Sequence, residues 1–163
     1  MFDGKGKVWH RNGTLKYEGE FRRGGPHGEN ILIYDETGRI NYDGDMYEGK
    51  KHGEGKIVWP NGELMFEGAW RNDGPDDDGQ KVCIYFDNGR PMYKGRMEAG
   101  VRNGVGTSFF RNGTIQFEGN WLDNMPDGDS CQIFDQNGSM VHNGRLVRGV
   151  GRFAGEIVYK YMG

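Results

Sequence analysis

Four histidines, two cysteines and several acidic runs are the side chains of this 163-residue chain able to carry chemistry. A metal site needs such ligands clustered in zinc-like or calcium-loop spacing. His10, His27, His52 and His142 stand far apart in the sequence. Cys83 and Cys131 form no Cys-x-x-Cys pair and read as buried free thiols. Asp76-Asp77-Asp78 and Asp123/Asp127/Asp129 lack the alternating ligands and closing Glu of a calcium loop, and read as solvated acidic turns. Gly4-Lys-Gly and Gly53-Glu-Gly resemble fragments of phosphate loops. They open strands, so the helix N-terminus that would hold a phosphate is missing. Glu18, Glu67 and Glu118 recur at one position but fall on a polar strand face, where no sheltered acid–base pair forms. No Ser/His/Asp or Cys/His grouping exists. The expectation is therefore no catalytic residue, no metal, no cofactor, and a chain that is not an enzyme.

Two other sets of residues point to binding. Tyr34, Trp59, Tyr85, Phe86, Phe109, Phe110 and Phe134 exceed what one thin sheet obviously buries. An exposed aromatic strip marks an interaction surface, although sheet curvature can also bury such rings against one another. Arg22, Arg23, Lys50 and Lys51 fall near turns and are the candidates for contact with an anionic lipid surface. The formal charge is −3, from 21 basic and 24 acidic residues, and the basic ones are scattered. A nucleic-acid binder shows a basic stripe instead, so no nucleic-acid partner is expected.

Hydrophobic residues make up 34% of the chain, and 30 residues are glycine. Nine Phe, eight Tyr and four Trp against so few aliphatics suggest a thin structure with stacked rings rather than a deep two-layer core. No apolar run approaches the ~18 residues of a membrane-spanning helix, and the start has no apolar signal-peptide core. A reducing, cytoplasmic setting is expected, with membrane or cytoskeletal association left open.

These residues are positioned by a repeat. Asn-Gly falls at 12–13, 61–62, 88–89, 112–113 and 137–138, and Thr37-Gly38 fills the remaining place. The glycine spacings are 25, 24, 27, 24 and 25, a period that signals a repeat array. Asn-Gly predicts a tight type I′ hairpin turn, because both residues tolerate positive φ. After each turn the pattern predicts a strand: 15–21, 40–46, 64–70, 92–97, 115–121 and 140–146. Tyr17/Gly19/Phe21, Phe66/Gly68/Trp70 and Phe117/Gly119/Trp121 each share one strand face. The glycine leaves a slot over which a ring from a neighbouring strand is expected to lie. Lys16, Glu18, Glu20, Asn41, Asp43 and Asp45 form the opposite, solvated face. The return strands carry adjacent apolar residues, as in Ile31–Tyr34 and Val82–Phe86. Repeats alternate in kind, so the larger unit is a pair of about 50 residues. Ile157, Val158, Tyr159 and Tyr161 read as an apolar edge strand, open to pairing with another chain.

Residues 42–55, Tyr-Asp-Gly-Asp-Met-Tyr-Glu-Gly-Lys-Lys-His-Gly-Glu-Gly, closely resemble the MORN (membrane occupation and recognition nexus) repeat. Tyr17-Glu-Gly19-Glu-Phe21 with His27-Gly28, and Tyr93-Lys-Gly95 with Asn103-Gly104, resemble it nearly as well. The third and fifth repeats keep Phe-Glu-Gly-x-Trp but replace His-Gly with Asp78-Gly79 and Asp127-Gly128. The sixth, with His142-Asn-Gly144, departs most. The resemblance spans essentially the whole chain. It implies an all-β fold: a single elongated, twisted antiparallel meander of about six hairpin repeats, with no helical domain. One array would occupy 1–163, with a leading strand at 4–13 and repeats at about 14–38, 39–62, 63–89, 90–113, 114–138 and 139–163. His27 and His52 would sit at the family's turn position, hydrogen-bonded to backbone. The family also implies scaffolding. The expected function is a non-enzymatic adaptor that binds a protein partner, peptide or helix, in a groove lined by the seven aromatics, with self-association as a homodimer. The alternative is peripheral binding to an anionic phospholipid membrane. A second alternative is a regulatory repeat fragment of a larger enzyme.

Overall fold

Two properties of the chain build its architecture: turn glycines at a fixed interval, and strands short enough to bury one face only. The computed structural model describes residues 2–76, 81–153 and 156–162, with 152–153 and 156–159 described by their backbone. In chain order the strands begin with β1 (Gly4–Trp9), β2 (Leu15–Arg22), β3 (Gly25–Pro26), β4 (Gly28–Tyr34), β5 (Ile40–Tyr47) and β6 (Lys50–Val58). The middle holds β7 (Leu64–Arg71), β8 (Gly74–Asp76), β9 (Val82–Tyr85), β10 (Pro91–Glu98) and β11 (Val101–Phe109). Then come β12 (Ile115–Leu122), β13 (Met125–Pro126), β14 (Gly128–Phe134), β15 (Met140–Leu146), β16 (Val150–Phe153) and β17 (Glu156–Lys160). The six strands expected after the glycine turns are β2, β5, β7, β10, β12 and β15, each within one residue of its expected ends.

The result is an open antiparallel meander. Neighbours in sequence are neighbours in space, from β4 through β15. β1, β2 and β3 form a separate ladder at the start, and β16 pairs with β17 at the end. The seams are unequal. β5–β6 and β10–β11 pair along most of their length. β7–β9 and β12–β14 are joined by two residue pairs each. β2 and β4 lie side by side with no ladder between them.

One face carries the core. Tyr17, Tyr42, Phe66, Tyr93 and Phe117 occupy the same position in successive outgoing strands, and all are buried. Burying each such ring stabilises the fold by about 1.5–3 kcal/mol. The slot argument is right about the glycine and wrong about the ring. The ring over Gly19, Gly44, Gly68, Gly95 and Gly119 belongs to the same strand, two residues earlier, and at Tyr42 and Tyr93 it also covers the glycine opposite. Tyr42 lies over Gly44 and Gly55, which pair across the ladder. Tyr93 lies likewise over Gly95 and Gly106. A Cβ on Gly55 would stand 2.6 Å from the Tyr42 Oη. The hydroxyl explains the lean: Tyr42 donates to the Asp45 carbonyl at 2.6 Å, Tyr93 to Arg96 at 2.7 Å and Tyr17 to Glu20 at 2.9 Å. A tyrosine lying along its own strand thus satisfies its hydroxyl within three residues.

The 50-residue unit has a physical basis. The Trp70 indole donates to the Gly55 carbonyl and the Trp121 indole to that of Gly106, both at 3.1 Å. Each indole meets a Phe and a Tyr edge-on. Centroids lie at 4.8 Å from Phe66 and 6.0 Å from Tyr42, and at 4.7 Å from Phe117 and 5.7 Å from Tyr93. The opposite face is polar, with Lys16, Glu18, Glu20, Asn41 and Asp43 exposed. Tyr161 corrects the edge-strand expectation: it is buried against Phe117 and Trp121 rather than open at an edge. The side chains of Ile157, Val158 and Tyr159 lie outside the described residues.

Candidate functional site

The two ends of the hairpins form two long edges, and the candidate residues divide between them. Along one edge run the glycine turns. In the first, Gly13 N–H donates to the His10 carbonyl and His10 N–H to the Thr14 carbonyl. Gly13 is left-handed (φ 87°), whereas Asn12 is not. This is a three-residue loop, a type I turn closed by a left-handed glycine. All six glycine turns share this hydrogen-bond pattern, so the expected two-residue type I′ geometry is absent from them. It occurs at the other edge instead. There Arg23-Gly24, Glu48-Gly49, Asn72-Asp73, Ala99-Gly100, Asp123-Asn124 and Arg148-Gly149 all have positive φ at both positions.

The asparagines have a different role from the one their turn propensity suggested. Asn12 Oδ1 accepts the Thr14 N–H at 3.0 Å, while its Nδ2 donates to the Glu36 carbonyl of the next turn at 2.8 Å. Asn61 reaches Asp87, Asn88 reaches Arg111 and Asn112 reaches Gln136 in the same way. Thr37-Gly38 has no asparagine. There Asp35 caps its own turn and Arg39 Nη1 reaches the Pro60 carbonyl at 3.0 Å. The Thr37 hydroxyl and the Arg39 and Thr37 amides hold the Asp35 carboxyl below the usual carboxylate range. The turns are therefore stitched into a continuous ladder.

The seven aromatics lie on this ladder. Tyr34, Tyr85, Phe109 and Phe134 are the last or last-paired residues of β4, β9, β11 and β14. Each follows a residue packed on the core face, namely Ile33, Ile84, Ser108 and Ile133. Strand alternation turns their side chains to the other face. Trp59, Phe86 and Phe110 open their turns. All seven are half-buried. Three have side-chain partners among the described residues: Trp59 Nε1 donates to the Tyr85 carbonyl at 3.1 Å, the Tyr85 hydroxyl is hydrogen-bonded with the Cys83 thiol, and the Arg111 guanidinium lies 5.8 Å from the Phe86 ring while paired with Asp87. His10, at the Trp59 position, meets the Tyr34 carbonyl at 2.8 Å. Trp9 completes the row at the end of β1 and was missed by the reading of the sequence. Its signal was its offset before His10-Arg-Asn-Gly, the same as that of Tyr34 before its own turn.

The opposite edge holds Arg22, Arg23, Lys50 and Lys51 on two adjacent turns. Arg22 and Arg23 both approach Glu48, at 3.9 and 3.2 Å. Lys51 Nζ lies 5.5 Å from the Tyr42 ring and 5.2 Å from the Trp70 ring. Three of the four cations thus have local partners. His27 Nδ1 accepts the Glu48 N–H at 3.3 Å, the backbone role expected at that position, and the Tyr47 ring lies between His27 and His52.

The concavities offer little chemistry. An open cleft of about 560 Å³ follows the unpaired β2–β4 seam and includes Tyr34. A second, about 510 Å³, lies on the polar face among Asp43, Asp45, Glu54, Lys56 and Glu67. Among the described residues no three His, Cys, Asp or Glu converge as a metal site. Burial pushes the Cys131 thiol up, away from the reactive thiolate. No helix of the described residues is long and apolar enough to cross a membrane.

Stacked hairpins with stitched turns define an all-β repeat module. The chain carries MORN repeats: the MORN repeat matches residues 42–63, and a MORN repeat variant matches 2–23 and 102–123. This is a repeat family, and no enzyme family is indicated. Alsin from Homo sapiens and Alsin from Mus musculus are each 35% identical to this chain over 88 residues. The match covers 53% of this chain and 5% of each of those proteins.

Proposed function

We propose that this chain is a non-enzymatic scaffold that holds a segment of another protein along its glycine-turn edge. Tyr34, Tyr85, Phe109 and Phe134 are the anchors, and Trp59, Phe86 and Phe110 flank them. The observation that carries this reading is the row itself: half-buried rings recurring once per hairpin on a ladder that fixes their spacing. Rigid aromatic rings contribute much binding energy at little entropic cost. An extended or helical segment with apolar residues at matching intervals is the natural occupant.

Membrane attachment through Arg22, Arg23, Lys50 and Lys51 has less support, since Glu48 and the Tyr42 and Trp70 rings already hold three of these cations. The test is site-specific photo-crosslinking. A photoreactive residue at Tyr85 or Phe109 should capture one discrete polypeptide that the same residue at Asp43, on the polar face, does not. Equal capture from all three positions overturns the reading. Sedimentation with anionic liposomes, abolished by salt and by Arg22→Ala/Lys50→Ala, would put the lipid surface in its place.

A further inference from the structure

Asn-Gly, the dipeptide that marks most of the glycine turns, is chemically reactive. Glycine has no Cβ to shield its amide nitrogen, so that nitrogen can attack the preceding asparagine side chain and displace its amide. In a folded chain the reaction needs two freedoms. The carboxamide must swing onto the next backbone nitrogen, and the asparagine backbone must rotate to let it. Exposure does not separate the turn sites, since Asn12, Asn61, Asn88, Asn112 and Asn137 are all exposed. The bond from the glycine amide does not separate them either. Gly138 N–H donates to the Asp135 carbonyl at 3.0 Å, as Gly13 N–H does to His10 at 2.9 Å.

The ladder of turns is what separates them. Asn12, Asn61, Asn88 and Asn112 each use both ends of the carboxamide. In each, Oδ1 accepts the backbone N–H two residues on, at 3.0 or 3.1 Å, and Nδ2 donates to a carbonyl of the next turn. The Thr14 and Thr114 hydroxyls add a third bond to Asn12 and Asn112, both at 2.7 Å. Asn137 has none of these. The Asp135 carboxylate accepts the Asn137 and Ser139 amides instead, both at 2.9 Å, which leaves the Asn137 carboxamide unbonded. A Cβ on Gly138 would meet nothing within 4 Å, so the space beside its nitrogen is open. Asn103 and Asn143 also precede glycines, but inside strands. The Asn103 side chain is bonded to Glu98 and to the Asp123 amide. Asn143 pairs with Gln132 and Gly144 with Cys131, so the ladder resists backbone rotation there.

We infer that Asn137 is the residue at which the folded chain deamidates spontaneously. The Gly138 nitrogen gives its proton to solvent and bonds to Asn137 Cγ. The Cγ–Nδ2 bond breaks, and Nδ2 takes a proton from solvent and leaves as ammonia, closing a succinimide ring. Water then opens the ring at one of its two carbonyls. Opening at Cγ leaves aspartate. Opening at the main-chain carbonyl leaves isoaspartate, with the backbone running through the side-chain carbons. Nothing is oxidised or reduced. Either product places a new carboxylate in the turn that follows Phe134. Freeing any of the other four turn asparagines means opening two or more hydrogen bonds first, so Asn137 should react roughly tenfold faster than each of them, or more. The inference is independent of whether the turn-edge aromatics hold a partner.

Peptide mapping by mass spectrometry on the full chain tests this. The protein is held at mildly alkaline pH, folded in buffer and unfolded in urea, and each Asn-Gly peptide is followed over time. In the folded chain the peptide holding Asn137 should convert first, into separable aspartate and isoaspartate forms. Those holding Asn12, Asn61, Asn88 and Asn112 should stay largely intact over the same interval. In urea all of these should convert at comparable rates, because the dipeptide is the same and the ladder is gone. An Asn137 that stays intact in the folded chain yet reacts in urea overturns the inference. So do turn asparagines that all react alike in the folded chain, or a folded chain that reacts first at Asn103 or Asn143.

Discussion

Tyr42 shows how much one residue does in a sheet this thin. Its ring is the cover of two paired glycines, an edge-on partner of Trp70 and the hydrogen-bond donor to Asp45. Burial, and then the nearby carboxylates led by Asp45, push its hydroxyl well above the ordinary tyrosine value of 10.0. Tyr17 is raised as well, chiefly by burial. The folded chain therefore keeps these protons at a pH where the unfolded chain has released them. With fewer protons bound to the unfolded state, stability falls as pH rises. Urea unfolding should show full stability below about pH 10 and a progressive loss above it, with Tyr42→Phe flattening that loss. At neutral pH the same variant should lose about 1 kcal/mol, the net value of one hydrogen bond.

At the scale of elements, the turns do more than reverse the chain. Each asparagine of the ladder bonds its own turn and the next, so a rung belongs to two hairpins at once. Asn61→Ala removes the bond to Asp87 and the cap on Glu63. A loss of about 1–2 kcal/mol is expected, read from the denaturant midpoint. Asn137 is the contrast: its turn is capped by Asp135, and its own side chain makes neither bond. Asn137→Ala should fall within about 0.5 kcal/mol of the wild type. Equal losses at both sites would mean that asparagine acts here through turn propensity, not through the ladder.

For the whole molecule, stability in a stacked array is a sum over hairpins and the seams between them. The seams differ, so opening should be graded rather than all-or-none. Hydrogen exchange should be slowest at β5–β6 and β10–β11. It should be faster at the two-pair seams β7–β9 and β12–β14, and fastest where β2 faces β4 without a ladder. Uniform protection across all five seams would contradict this. The unpaired seam makes the first hairpin the part expected to open most readily from the rest.

Much of this architecture was legible in the residues. A glycine every 24 to 27 positions can be satisfied only by chain reversals, and alternating polar and aromatic residues between them only by strands with one buried face. Those are local requirements, so the strands 15–22 and 140–146 appear where the pattern puts them. What lay beyond the sequence depends on contacts between distant segments. Asn-Gly favours a type I′ turn in isolation, yet all six glycine turns form the three-residue loop, and at four of them the asparagine side chain is spent on the next turn, 23 to 26 residues away. Arg23, Glu48 and Ala99 take positive φ against their own preference, because the strands they join are fixed on either side. The tyrosine rings lie along their own strands because the acceptors for their hydroxyls are there. Sequence periodicity thus determined the strands and their faces. The tertiary structure decided the turn types, the inequality of the seams and the gathering of the aromatics on one edge, because each is set by what the neighbouring hairpin supplies.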